Sequence, residues 1–177
     1  MTQEEGPLEI EIGDSGTQPN LLPGVPSGWT DALTGTDGPR LWDRTVSSEV
    51  ARVSRYRRPV TVALIEINGL DRYARSWGID VAERLFVQLA RTMAVNVRSS
   101  DHMARLERTR FGLLLTETDE IAAINYVERV REAGPRSMPR GGENLRFSFG
   151  WASPKVGEAP ESVVRRADTR LMAELLR

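Results

Sequence analysis

The side chains that stand out for chemistry in this 177-residue sequence are acids and arginines, because cysteine, histidine and lysine are nearly missing. There is no cysteine, which excludes disulfides, thiolate nucleophiles and zinc clusters together. The lone histidine, His102, cannot build a histidine-based metal site and reads most simply as a strand residue. Of 24 basic residues only Lys155 is a lysine. Arginine is the better planar donor for guanine edges and phosphates, although so strong a bias also follows from GC-rich coding. Taken alone, Arg98 suits a helix C-terminus and Asp101 a turn. Arg55-Tyr56-Arg57-Arg58 reads as a solvated helix end, and Trp42, Trp77 and Trp151 as packing residues.

These side chains need elements to hold them. Pro39 opens a helix reaching about Arg55, with Leu41, Thr45, Val46, Val50 and Val53 on one face. The β-branched run Val60 to Ile67 reads as a central strand, and a short turn or helix covers Asn68 to Ser76. From Asp80 to Val97, the residues Ala82, Leu85, Phe86, Leu89, Met93 and Val97 share a helical face. Strands at His102 to Leu106 and Phe111 to Thr116 make a hairpin around Glu107 to Arg110. A helix from Thr118 to Glu132, a Gly/Pro-rich loop at 134 to 143, a strand from Leu145 to Ala152 and a helix from Glu161 to Leu176 complete an α+β pattern.

The first thirty residues read as an arm, with four prolines, five glycines, five acids and no base. Only Leu8-Glu9-Ile10-Glu11-Ile12 alternates there as a short strand would. The net charge of -1 therefore leaves +4 on the rest, too little for a bulk nucleic-acid binder. No apolar run approaches a membrane span, and the acidic start lacks a secretory pattern, so the expected location is cytoplasmic.

From Asp31 to about Met172 the sequence resembles the GGDEF, or diguanylate cyclase, domain. Asp31-Ala32-Leu33-Thr34-Gly35, with Arg40 beyond it, is similar to that family's opening motif. Leu64-Ile65-Glu66-Ile67 falls where the family has a strand ending in a metal-binding aspartate, Phe147 to Ala152 resembles its late strand, and Ala167-Asp168 its final-helix pair. The resemblance implies an α+β fold with a mixed five-stranded sheet flanked by helices over 31–177, preceded by the 1–30 arm, and a place in bacterial signal transduction.

Where the family carries Gly-Gly-Asp-Glu-Phe, this chain has Glu107-Arg108-Thr109-Arg110-Phe111. Glu107 and Arg108 bring side chains to where glycines let backbone approach a triphosphate. Thr109 and Arg110 stand where acids serve magnesium, a hard cation that wants oxygen ligands. Glu66 replaces the strand aspartate, Ala74 a guanine-contacting asparagine and Glu83 an aspartate, while Asp71 and Leu175 replace lysines. Phosphoryl transfer depends on metal and positioned positive charge, so cyclisation of GTP is expected to be lost, with no metal and no cofactor.

What survives is Arg98-Ser99-Ser100-Asp101, five residues, then Glu107, the spacing of the family's Arg-x-x-Asp product site, with Arg129 matching its further arginine. The resemblance implies cyclic di-GMP at Arg98, Asp101 and Arg129. Arginine donates two bonds to guanine N7 and O6 and stacks on bases, and a carboxylate accepts from guanine N–H groups. The expected function is a catalytically inactive cyclic di-GMP receptor acting on a protein partner, possible as a ligand-bridged dimer. The rivals are a nucleotide-independent interaction scaffold and an enzyme with residual GTP handling through Glu66. Three readings of the arm stay open: a segment disordered in isolation, one that engages a partner protein, and one that fills or flanks the vacated cleft through Leu21, Leu22, Val25 or Trp29, its acids meeting Arg108 or Arg110.

Overall fold

Nine residues, Val60–Asn68, form the strand around which the sheet is built, and every side chain from Val60 to Ile65 is buried. The computed structural model describes residues 23–139, 141–142 and 144–177. In chain order the elements are α1 (Pro39–Tyr56), β1 (Val60–Asn68), α2 (Leu70–Trp77), α3 (Ile79–Ala94), β2 (His102–Arg105), β3 (Arg110–Thr116), α4 (Glu120–Arg136), β4 (Arg146–Ala152) and α5 (Pro160–Leu175).

The α+β class is as the sequence implies, but the sheet differs from expectation. Among the described residues it has four strands, in the order β2-β3-β1-β4, and all three pairings are antiparallel. The reason is interleaving. The crossover from β1 to β2 leaves room between them for β3, and the crossover from β3 to β4 leaves room for β1. Strands that run the same way are therefore never neighbours. The parallel contact present is an isolated bridge, Asp37 to Ala104.

Each face of the sheet has its own core. Ile65, Ile67, Phe111, Leu113 and Phe149 face α2, α3 and α4 and pack on Leu85, Phe86, Leu89, Met93 and Val127. Val62, Leu64, Leu114 and Ala152 face Trp42, Val46 and Val50 of α1 and Val163, Ala167 and Leu171 of α5. α5 lies so close to β4 that a Cβ on Gly150 would stand 2.1 Å from the Ala167 carbonyl oxygen. Among the described residues no helix is long and apolar enough to cross a membrane.

Two helix boundaries move from their expected places. α3 stops at Ala94 rather than Val97, because the chain tightens into three-residue bonds from Asn96 N–H to Met93 O and Val97 N–H to Ala94 O, with the Asn96 amide donating to Thr92 O. α4 runs to Arg136, past the expected loop start at 134. Gly134 allows this, since a Cβ there would meet the Phe147 ring at 2.2 Å.

The end of the arm is part of the fold. Gly38 N–H donates to Trp29 O and Arg40 N–H to Gly28 O, while Pro23 and Pro26 are buried. Val25 and Trp29 do not fill a cleft as expected: they are 60% and 49% exposed. Leu21 and Leu22 lie outside the described residues.

Glu120 at the start of α4 ties that helix to the end of β4. It accepts from the Ser153 N–H at 3.0 Å and from Arg170 at 2.9 Å. Burial alone pushes its carboxyl up, but these two donors and the charges of Arg170 and Arg166 hold it below the usual glutamate range. A carboxyl depressed in the folded state contributes stability above its unfolded pKa and loses it as pH falls through the folded value. Glu120→Gln is expected to lower stability near neutral pH and to flatten its decline below about pH 4, read from urea unfolding across pH.

Candidate functional site

The hairpin between β2 and β3 is pinned by an arginine that the sequence reading passed over. Arg105 ends β2 and is 2% exposed, against 6% for its partner Asp31. Its Nη1 donates to Asp31 Oδ1 at 3.0 Å, its Nη2 to Gly24 O at 2.6 Å, and both Nε and Nη2 to Arg108 O. The guanidinium also lies 5.1 Å from the Phe86 ring centre. Burial lowers the Arg105 pKa, and Asp31 and then Glu83 oppose that shift. The signal was available by parity, because residue 105 of a strand shares a face with Met103, which is in the core.

Past that anchor, Glu66, Glu107, Thr109 and Arg110 form a polar cluster with Asp168. Glu66 on β1 is paired in register with Arg110 at the start of β3. Arg110 Nε donates to Glu66 Oε2 at 2.9 Å, and its Nη1 donates to Glu107 at 3.1 Å and to Asp168 of α5 at 3.2 Å. The Thr109 hydroxyl donates to Glu66 Oε1. One guanidinium thus sits among three carboxylates from β1, the hairpin and α5. Burial opposes the charge on Arg110, yet the Glu66 hydrogen bond and the charges of Glu107, Glu66 and Asp168 raise its pKa. Among the described residues no group of acids, cysteines and histidine stands ready to hold a metal ion. Beside the cluster, between α1 and α5, lies a cavity of about 630 Å³ whose walls include Trp42, Val46, Leu106, Arg110, Val164 and Asp168.

Ala74 is buried on α2 and offers no amide, and Glu83 on α3 feels Arg105 rather than forming part of the ion cluster. Leu175 packs against the α1/α5 core. Arg108 contributes its carbonyl to Arg105, so its backbone takes part in closing the hairpin.

The second group converges elsewhere. Arg98, Asp101 and Arg129 line one pocket of about 170 Å³ with Asn96, Asn125 and Tyr126. Asp101 starts the turn into β2: its Oδ1 accepts from the Thr116 N–H at 3.0 Å and hydroxyl at 3.2 Å, and its Oδ2 from the Arg98 N–H at 3.3 Å. Arg129 on α4 stands 5.7 Å from the Tyr126 ring centre. The Tyr126 hydroxyl is held by Met93 O, and burial, opposed by Arg129, pushes its pKa well above the tyrosine range. Among the described residues the Arg98 guanidinium has no ion-pair partner.

An interleaved antiparallel sheet with helices on both faces, and a polar hairpin set against a carboxylate on the central strand, is the layout of a nucleotide-cyclase type of domain. The diguanylate cyclase GGDEF-domain family profile matches residues 28–175, and the chain belongs to that family. The response regulator PleD of Caulobacter vibrioides is 29% identical over 145 residues, 78% of this chain and 32% of PleD. The chain thus spans about a third of that relative's length. Among solved structures, the diguanylate cyclase SiaD from Pseudomonas aeruginosa, in complex with its activator SiaC, is 26% identical with a TM-score of 0.76, over 83% of this chain and 58% of that one. The GGDEF domain of DgcB from Caulobacter crescentus, in complex with c-di-GMP, shares the fold at 21% identity and a TM-score of 0.77, over 85% and 91% of the two chains.

Two outcomes follow from this geometry. Arg105→Ala strands a buried carboxylate and is expected to cost about 3 kcal/mol or more in chemical denaturation, whereas the paired Arg105→Met, Asp31→Leu variant recovers much of the loss. Arg110→Met is expected to cost about 1 to 3 kcal/mol and to make thermal stability respond to millimolar magnesium, with the wild type showing no such response.

Proposed function

We propose that this chain is a catalytically inactive GGDEF-type domain that acts as a cyclic di-GMP receptor through Arg98, Asp101 and Arg129. The observation that carries the reading is the contrast between the two arginine sites. At the hairpin, Arg110 is consumed by Glu66, Glu107 and Asp168. At the second pocket, the Arg98 guanidinium has no partner among the described residues and lines the same walls as Arg129.

Inactivity is supported by charge. A divalent cation brought to Glu66 would meet a guanidinium already bonded there, and like charges at such range repel strongly. Phosphoryl transfer has little else to rely on. Receptor activity is supported by donor geometry: the two guanidinium groups can take guanine N7 and O6 or stack on the base. Asp101 Oδ2, engaged by one bond of 3.3 Å, retains acceptor capacity for a guanine N–H. A pocket of 170 Å³ is too small to enclose a dinucleotide, which favours a ligand lying across the surface and shared with a second copy. The SiaD structure, in which a cyclase of this fold is in complex with its activator, supports a protein partner for this domain as well. The reading calls for no cofactor, no nucleic acid and a cytoplasmic setting.

The nucleotide-independent scaffold is the second reading, and Asp101 favours it: three hydrogen bonds to the Arg98 and Thr116 backbone and the Thr116 hydroxyl give that carboxylate a structural task of its own. Calorimetric titration with cyclic di-GMP and with GTP separates the readings. Binding of the dinucleotide is expected, weakened roughly 10- to 150-fold by Arg98→Ala and also by Arg129→Ala, as for charged hydrogen bonds. Incubation with GTP and magnesium is expected to yield no cyclic di-GMP above a protein-free control. Absence of heat and thermal shift with saturating dinucleotide would sink the receptor reading, and product formation would sink inactivity.

A further inference from the structure

α1 and α5 pack on one face of the sheet, and the cavity of about 630 Å³ lies between them, next to the hairpin. Its floor is apolar: Trp42 and Val46 of α1 and Leu64 of β1 are buried, and Leu106 and Val164 are half-buried. Gly112 sets the depth of that floor. A Cβ there would stand 2.8 Å from both the Trp42 ring and the Leu106 side chain, so both lie directly against β3. A concave site of this size, apolar below and polar at its margin, is of the kind that takes a small molecule.

The margin fixes the sign of the charge it favours. Four acids, Asp43, Glu107, Glu161 and Asp168, line the cavity against two arginines, Arg110 and Arg165, so the walls carry two net negative charges. Arg110 offers little attraction for an anion, because it is already bonded to Glu107, Asp168 and Glu66. The positive end of α5 at Pro160 adds roughly half a charge, too little to reverse the sign. A phosphate-bearing ligand is therefore repelled where a cation is drawn in. Asp43, Glu107 and Glu161 are exposed, so each attracts only weakly through water, and selectivity comes from their joint action on one small site. The first thirty residues of the chain, with five acids and no base, have the wrong charge for these walls.

The kind of cation follows from the arrangement of the acids. A metal ion wants several oxygen ligands converging on one point, and among the described residues no group of acids is so placed. An organic cation needs no such convergence. Its body can lie on the apolar floor while its ammonium or guanidinium group stays at the margin, near the carboxylates and partly in water.

We infer that the α1/α5 cavity is a binding site for a small organic cation with an aromatic or branched aliphatic body, which rests on Trp42, Val46, Leu106 and Val164 and is oriented by Asp43, Glu161 and Asp168. The site shares no lining residue with the Arg98 and Arg129 pocket, so its occupancy is independent of cyclic di-GMP. Three probes separate body from charge: tryptamine, indole-3-propionate with the same ring and the opposite sign, and ethylamine with the charge alone. Each is titrated at low salt into the isotope-labelled full chain and followed by amide chemical shifts. Tryptamine is expected to bind with a millimolar Kd or better, as suits about a dozen heavy atoms, with shifts centred on Ser47, Leu106 and Val164. Indole-3-propionate is expected to bind roughly tenfold or more weakly, a gap that narrows in high salt, and ethylamine to fall short by a similar factor. Val164→Arg, which puts bulk and positive charge into the cavity, is expected to abolish tryptamine binding. Because added bulk can strain packing, the exposed pair Asp43→Asn, Glu161→Gln gives a second reading and is expected to weaken tryptamine about three- to tenfold. Arg98→Ala leaves that affinity unchanged. Equal affinity for the two indoles overturns the proposal, and so do shifts centred away from the cavity or tryptamine binding unaltered in both cavity variants.

Discussion

The buried contact between Arg105 and Asp31 sets the geometry of everything around the hairpin. A guanidinium presents five donors in a fixed plane, and here four bonds leave it toward the arm end at Gly24 and the turn at Asp31, both remote in sequence, and the hairpin tip at Arg108. Asp31 is locked in turn, because its second oxygen accepts from the Thr34 N–H and hydroxyl. Phe86 closes one face of the guanidinium plane. Removing water from two charges is costly, and the arrangement is tolerable because the donors and acceptors have partners on several sides. The hairpin tip is held through its backbone, since Arg105 draws the Arg108 carbonyl inward.

That fixed tip delivers Arg110 to Glu66. A carboxylate on a central strand, half-buried and beside a second from α5, must find a positive partner. Here the partner is covalently part of the next strand, at a position paired with Glu66 in register. Its local concentration never falls, and it cannot be titrated away at any ordinary pH. The charge of Arg110 is met inside the fold, whereas among the described residues the Arg98 and Arg129 side chains form no ion pair.

Most elements were legible because they are periodic. The buried face of α3 at Ala82, Leu85, Phe86, Leu89 and Met93 follows from spacing alone, and the hairpin follows from two short apolar runs around four polar residues. Sheet connectivity was not legible in that way. Alternation shows which side of a strand is apolar but not which strand lies beside it, so the expected mixed five-stranded sheet gave way to interleaved antiparallel pairs among the described residues. At the site, Glu66, Thr109 and Arg110 could be placed by position, yet their mutual bonding depends on cross-strand register, which no local pattern reveals. Arg105 was hidden for a different reason. A charged residue in a short strand reads as exposed unless its parity with Met103 is followed through.

Interleaving also dictates how the chain must come together in time. The neighbours of β1 are remote along the chain: Val60 pairs with Thr116, and Val62 with Ala152. β2 and β3 pair across a short hairpin, as with Arg105 and Phe111, and α2 and α3 are separated by a single glycine, Gly78. Loop-closure entropy therefore falls mainly on the central strand, while the hairpin and helix pair close small loops. Until residues 146–152 arrive, β1 carries an apolar edge with no partner on one side. The strand at the centre of the finished sheet is thus the most exposed to wrong pairing during folding.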